Sequence, residues 1–157
     1  MPPRDFPLAL FRPPIVLLVE DRPPSSSPTS RLVSMLGYEV RGARSGEQAL
    51  WLLHHYRELF GLVLTSILLP DIDGGEFVER VRREEPDIRL AWIADFAPIG
   101  KAAALIATHP EIPVLTKPFG FRELRDALLP LVGPARAVVT LQGGLRFPRR
   151  RERKVSR

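Results

Sequence analysis

The chain of 157 residues contains no cysteine, which excludes a disulfide framework, a thiol nucleophile and any thiolate metal site. Long apolar runs are also missing. The stretches 15–19 and 50–53 are far too short to span a bilayer, and 7–11 is too short for the apolar core of a signal peptide. No Gly-x-Ser-x-Gly elbow, glycine-rich phosphate loop or dinucleotide fingerprint occurs. These absences argue against a serine hydrolase and against nucleotide-dependent enzymes, and a cytoplasmic protein is expected.

What is present is uneven. The net charge of +5 suggests a nucleic-acid binder until it is located along the chain. Residues 133–157 hold eight Lys or Arg against Glu152, a net of +7, so residues 1–132 carry fifteen basic and seventeen acidic groups, a net of −2. Eight of the seventeen prolines fall within the first 28 residues. The division expected is therefore a Pro-rich, poorly ordered leader over 1–14, one domain over 15–132, and a basic tail over 133–157.

Within the domain, Ile15, Val16, Leu17, Leu18 and Val19 form an unbroken apolar run that stops at Glu20 and Asp21, the pattern of a strand covered on both faces. Residues 62–64, 90–94 and 112–115 are comparable, and 38–40 is a weaker strand whose Glu39 suggests a sheet edge. Helices are expected between them. Ser27 caps the first ahead of Pro28, with Gly37 as its left-handed stop; Ser45 and Gln48 have capping-box spacing for a second running to about Leu59. Asp73 caps a third that Pro86 closes, a fourth runs over about 99–107, and Phe121, Leu124, Leu128 and Leu131 mark a fifth. Strands alternating with helices imply an α/β fold, a doubly wound parallel sheet whose site lies beyond the carboxyl ends of the strands.

The residues at those ends carry a specific pattern. Val19, Glu20 and Asp21, then Ser66 four residues before Pro70 with Asp73 and Gly74 beyond, then Lys117, Pro118 and Phe119 resemble the response-regulator receiver domain of two-component signalling. Gly37 to Val40 and Ser45 to Leu50 match the same pattern, and the resemblance covers about residues 15–132. It implies a flavodoxin-like (βα)5 fold with five parallel strands in the order 2-1-3-4-5, and a cis Lys117-Pro118 bond. It also implies that Glu20 and Asp21 are the acidic pair that helps bind Mg²⁺ and that Lys117 contacts phosphoryl oxygens. The phosphoacceptor position, an aspartate in the family, is Ser66. The hydroxyl-bearing switch position is Ala94, and the aromatic switch position is Val114.

Each departure has a chemical consequence. An unassisted serine hydroxyl is a weak nucleophile at neutral pH, and Ser66 also removes one carboxylate from the metal site. Ala94 has no hydroxyl to follow a phosphoryl oxygen, and Val114 has no ring to reorient. The expectation is a degenerate receiver, not an enzyme, with no cofactor and with Mg²⁺ at Glu20 and Asp21 weakened or lost. It would act by binding a histidine kinase or another two-component protein through the fourth helix, fifth strand and fifth helix. Two readings of the remaining charges stay open: retained metal binding, or an ion-pair cluster in which Lys117 neutralises the acidic pair.

Two alternatives are set beside this. A relay phosphoacceptor would need a substitute side chain, Asp71 or Asp73, which read better as a turn residue and a helix cap. A nucleic-acid-associated protein would act through its basic tail, where residues 145–157 could bind polyanions nonspecifically. Aromatic interleaving there is limited to Phe147, and no helix-turn-helix pattern follows the domain. His54 and His55 are about 100° apart on a helix and cannot both face one metal, and His109 reads as a loop residue. Residues 137–141 and 145–147 allow a weak hairpin. The sequence carries no signal for oligomeric state.

Overall fold

Strands with no polar residue need cover on both faces, and in the computed structural model every residue of β1, Ile15–Val19, is buried. The structure describes residues 15–132 and the backbone of 139–140 and 144–145; the leader 1–14 and most of the tail lie outside the described residues. β1 is flanked by β2, Glu39–Ala43, and β3, Phe60–Ser66, and the sheet continues through β4, Arg89–Ala94, to β5, Val114–Thr116. All four pairings are parallel, in the order 2-1-3-4-5. Glu39 does lie on an edge strand.

Successive side chains of a strand point to opposite faces, so each strand feeds two cores. Leu17, Val19, Val63 and Trp92 face one side, where they meet Leu53, Phe77 and Val81 from the helices α2, Gly46–Tyr56, and α3, Gly74–Glu84. Leu105 and Ile106 of α4, Gly100–Thr108, pack on the same core. Val16, Leu18, Leu64 and Ile93 face the other side, against Val33 of α1, Pro28–Met35, and Leu124 and Leu128 of α5, Phe121–Val132. This is the doubly wound flavodoxin-like architecture. Each parallel crossover carries one helix, and helices on both faces explain the unbroken apolar runs.

The helix ends follow local chemistry. Ser27 Oγ accepts from Ser30 N at 3.1 Å, and Gly37 adopts φ +94° just past α1. Asp73 caps α3, accepting from Gly75 N and Glu76 N. Ser45 caps α2, but the second arm of the expected box differs: Gln48 Oε1 accepts from Arg44 N, one residue earlier than the box geometry places it. α2 also ends at Tyr56, and residues Arg57–Leu59 tighten into a 3-10 turn. β2 runs three residues beyond the expected 38–40, and β5 starts at Val114 where 112–115 was expected. Ile112 is buried before the strand, and pairing opens when Trp92 N donates to Pro113 O. Of the hairpin expected over 137–141 and 145–147, the described residues show a short antiparallel ladder, β6, Val139–Thr140, against β7, Gly144–Leu145, and the rest lies outside the described residues. Among the described residues no helix is long and apolar enough to cross a membrane.

Candidate functional site

Strand order reverses between β1 and β3, and such a switch point opens a crevice at the carboxyl edge of the sheet. A cleft of about 920 Å³ lies there, and Glu20, Asp21, Ser66, Asp95 and Lys117 all line it. The structure therefore assembles the four charged or hydroxyl-bearing residues singled out in the sequence and adds one that was missed, Asp95.

Glu20 is tied to the sheet through its N–H, which donates to Ala43 O at 3.0 Å. Its side chain is buried, 6% exposed, and Oε1 has no hydrogen-bond partner among the described residues. A buried carboxylate oxygen without a donor is costly, so this oxygen is the atom of the cleft most in need of one. Asp21 is exposed beside it, and its backbone carbonyl accepts from Arg44 Nε at 3.2 Å. Ser66 is half-buried at the end of β3, in register with Ile93.

Lys117 reaches the cleft because β5 pairs with β4: Lys117 N donates to Ala94 O at 2.8 Å, and the Lys117-Pro118 bond is cis. Its ammonium does not neutralise the acidic pair. Lys117 Nζ pairs with Asp95 Oδ1 at 3.1 Å, and neither Glu20 nor Asp21 joins a salt bridge among the described residues. That corrects the ion-pair reading. The sequence offered the signal of a carboxylate immediately after a strand, but only the pairing of β4 with β5 brings it to Lys117. Ala94 is buried and abuts Thr116 in the ladder, and Val114 is half-buried opposite Trp92.

The Mg²⁺ implied by the sequence resemblance finds one favourable feature, the Glu20 Oε1 that has no partner among the described residues. The donor set nevertheless falls short. Ser66 contributes no charge, and among the described residues no group of three or more His, Cys, Asp or Glu side chains converges. These residues do not fit a three-carboxylate Mg²⁺ site.

Asp71 and Asp73 do not line the cleft. Asp71 holds the start of α2 from a distance, Oδ1 accepting from Gly46 N and Oδ2 from Glu47 N, both at 2.9 Å. Desolvation pulls its carboxyl up, but the bonds from Glu47 N, Gly46 N and the Ser45 hydroxyl outweigh that and hold it below the usual carboxylate range. Asp73 is held low by the Lys101 ammonium at 2.8 Å and by the α3 amides of Glu76 and Gly75. The histidines are likewise engaged elsewhere. His54 meets Glu84, His55 stacks on Trp51, and half-buried His109 lies edge-on to Trp92.

Comparison with known proteins gives a consistent picture. The response regulator receiver domain model matches residues 16–129. The response regulator receiver protein CpdR of Brucella abortus (strain 2308) is 31% identical over 109 residues, covering 69% of this chain and 88% of that protein. The sensor kinase CckA of the same organism is 29% identical over 109 residues, and there the chain spans only 11% of the relative's length. Among solved structures, the signal receiver domain of an HD domain-containing protein from Pseudomonas fluorescens Pf-5 superposes with a TM-score of 0.65 at 31% identity. That match covers 76% of this chain and 94% of the other.

Proposed function

The chain belongs to the response-regulator receiver domain family of two-component signalling, and from that premise we propose that it is an atypical receiver that signals by protein–protein contact without aspartyl phosphorylation. The observation that carries this reading is Ser66, the residue at the end of β3 where the family places its acceptor aspartate. A serine hydroxyl needs an adjacent base to become a competent nucleophile, and no histidine lines the cleft.

Two further residues support it. Ala94 and Val114 stand at the two switch positions, and neither side chain has the group that would report a phosphoryl addition. The partner is a histidine kinase or another two-component protein, met by the surface of α4, β5 and α5. Mg²⁺ binding at Glu20 and Asp21 is weakened by loss of the third carboxylate.

The test is incubation with Mg²⁺ and a small-molecule phosphodonor, read as intact mass. The unmodified chain should not gain a phosphoryl increment, and Ser66→Asp should recover uptake, because Glu20, Asp21 and Lys117 already surround that position. A phosphoryl group mapped to an aspartate of the unmodified chain would overturn the proposal in favour of a relay acceptor.

A further inference from the structure

The cleft holds an unmet electrostatic demand. Glu20 Oε1 is buried with no donor among the described residues, and Asp21 stands exposed beside it. Lys117 is engaged by Asp95, and the other cation lining the cleft, exposed Arg22, joins no salt bridge among the described residues. The rim is apolar: Leu68 is 62% exposed and Phe96 is 82% exposed, and both line the cleft. The natural complement is a cationic group carried next to an aromatic or aliphatic side chain. A bare metal ion meets the charge alone and lacks the third carboxylate.

The same chain carries such a segment. Leu145, Arg146, Phe147 and Pro148 precede Arg149, Arg150 and Arg151, within a stretch of net charge +7 following a body of net charge −2. We propose that residues 146–151 dock into this cleft within the same molecule, an arginine guanidinium engaging Glu20 and Asp21 while Phe147 covers Leu68 and Phe96. A guanidinium presents a planar fork of donors that matches a carboxylate with a free oxygen, and it sheds water more readily than an ammonium.

Reach permits the contact. α5 runs back along the sheet for twelve residues, so its end lies about 18 Å from the cleft edge. The β6–β7 ladder folds the middle of the following segment on itself. The nine residues 133–138 and 146–148 outside that ladder can extend to about 30 Å. Tethering places the arginines at an effective concentration on the order of millimolar, so a contact too weak to form between separate molecules is populated within one. The inference stands whether or not Ser66 accepts a phosphoryl group, because it uses only the charge, the rim and the tail.

The chain's lack of cysteine provides a clean test. A spin label on Ser156→Cys in the full-length protein should cause signal loss concentrated at the amides of residues 20–22, 66–68 and 95–96. That loss should disappear when Arg149, Arg150 and Arg151 are changed to Gln, a change that leaves the folded body untouched, and shrink with Glu20→Gln or with added salt. Absence of selective loss at the cleft overturns the proposal. So does equal loss in a mixture of spin-labelled, unenriched chain with unlabelled, isotope-enriched chain, since that would place the tail on a second copy.

Discussion

Lys117 and Asp95 form an ion pair in the lining of the cleft, Nζ 3.1 Å from Oδ1, one just past the end of β5 and the other just past the end of neighbouring β4. The lysine is 37% exposed and the aspartate 72%, so water screens the pair and its worth is at most about 1 kcal/mol. Its importance is positional. Where Ser66 brings no charge, Asp95 is the group that holds the ammonium.

That relationship yields the first prediction. In a Ser66→Asp background, Asp95→Asn should raise the rate of phosphoryl uptake, because Lys117 is released toward the new carboxylate. In the unmodified background the same change should shift stability by no more than about 1 kcal/mol. Mass increments over time and urea denaturation read the two effects; a slower uptake in the double variant would mean that Asp95 assists the site.

Asp71 supplies a pH signature. Its folded carboxyl is held below the usual range, so its contribution is complete above the unfolded value near ~4 and is lost as pH falls through the folded one. Asp71→Asn should cost on the order of 1 kcal/mol at pH 7, as expected for a helix cap. The gap from the unmodified chain should narrow as pH falls below about 4. Denaturation curves at several pH values check the sign.

Gly74 opens α3 in close contact with the turn behind Ser66. A Cβ there would lie 2.7 Å from the Ile67 carbonyl oxygen and 2.9 Å from Leu105 Cδ1. Gly74→Ala should therefore destabilise by about 1–3 kcal/mol, the usual cost of overpacking, and should shift the amide resonances of Ser66 and Ile67 more than those of β2.

Two neighbours on α5 separate burial from composition. Leu128 is fully buried and Leu129 is 39% exposed. Leu128→Ala should cost about 2–5 kcal/mol, whereas Leu129→Ala should stay within about 0.5 kcal/mol. If instead Leu129→Ala reduces capture of a two-component partner without loss of stability, α5 is part of the docking surface.

Binding of a polyanion such as heparin should fall steeply with salt, since the tail offers up to eight cations that release counterions. Deleting residues 145–157 should abolish it, and binding indifferent to salt would rule the tail out as its source. Truncation should leave the thermal unfolding of the 15–132 body in place, since both cores lie within it.

Local chemistry made much of this protein legible from its residues. The unbroken run of β1, the caps Ser27, Ser45 and Asp73, the stop at Gly37 and the stripe Leu124, Leu128 and Leu131 each act over one turn of helix or one strand, and each is found where its pattern places it. The alternation of those elements carried the parallel sheet, and the spacing of Glu20, Asp21, Ser66 and Lys117 carried the cleft. What stayed hidden depends on residues far apart in the chain. Asp71 reads as a turn residue, yet the approach of the β3–α3 loop to α2 makes it a second cap some 25 residues from its targets. Asp95 carries no signal of its own, beyond its place after a strand, until β4 and β5 pair and set it against Lys117. Glu20 reads as one of an acidic pair after a strand, and only the packed fold separates it from exposed Asp21 by burying it with an oxygen unmet among the described residues. Propensity and capping are short-range energies written in neighbouring residues; desolvation and charge pairing belong to whichever groups the packed sheet brings together.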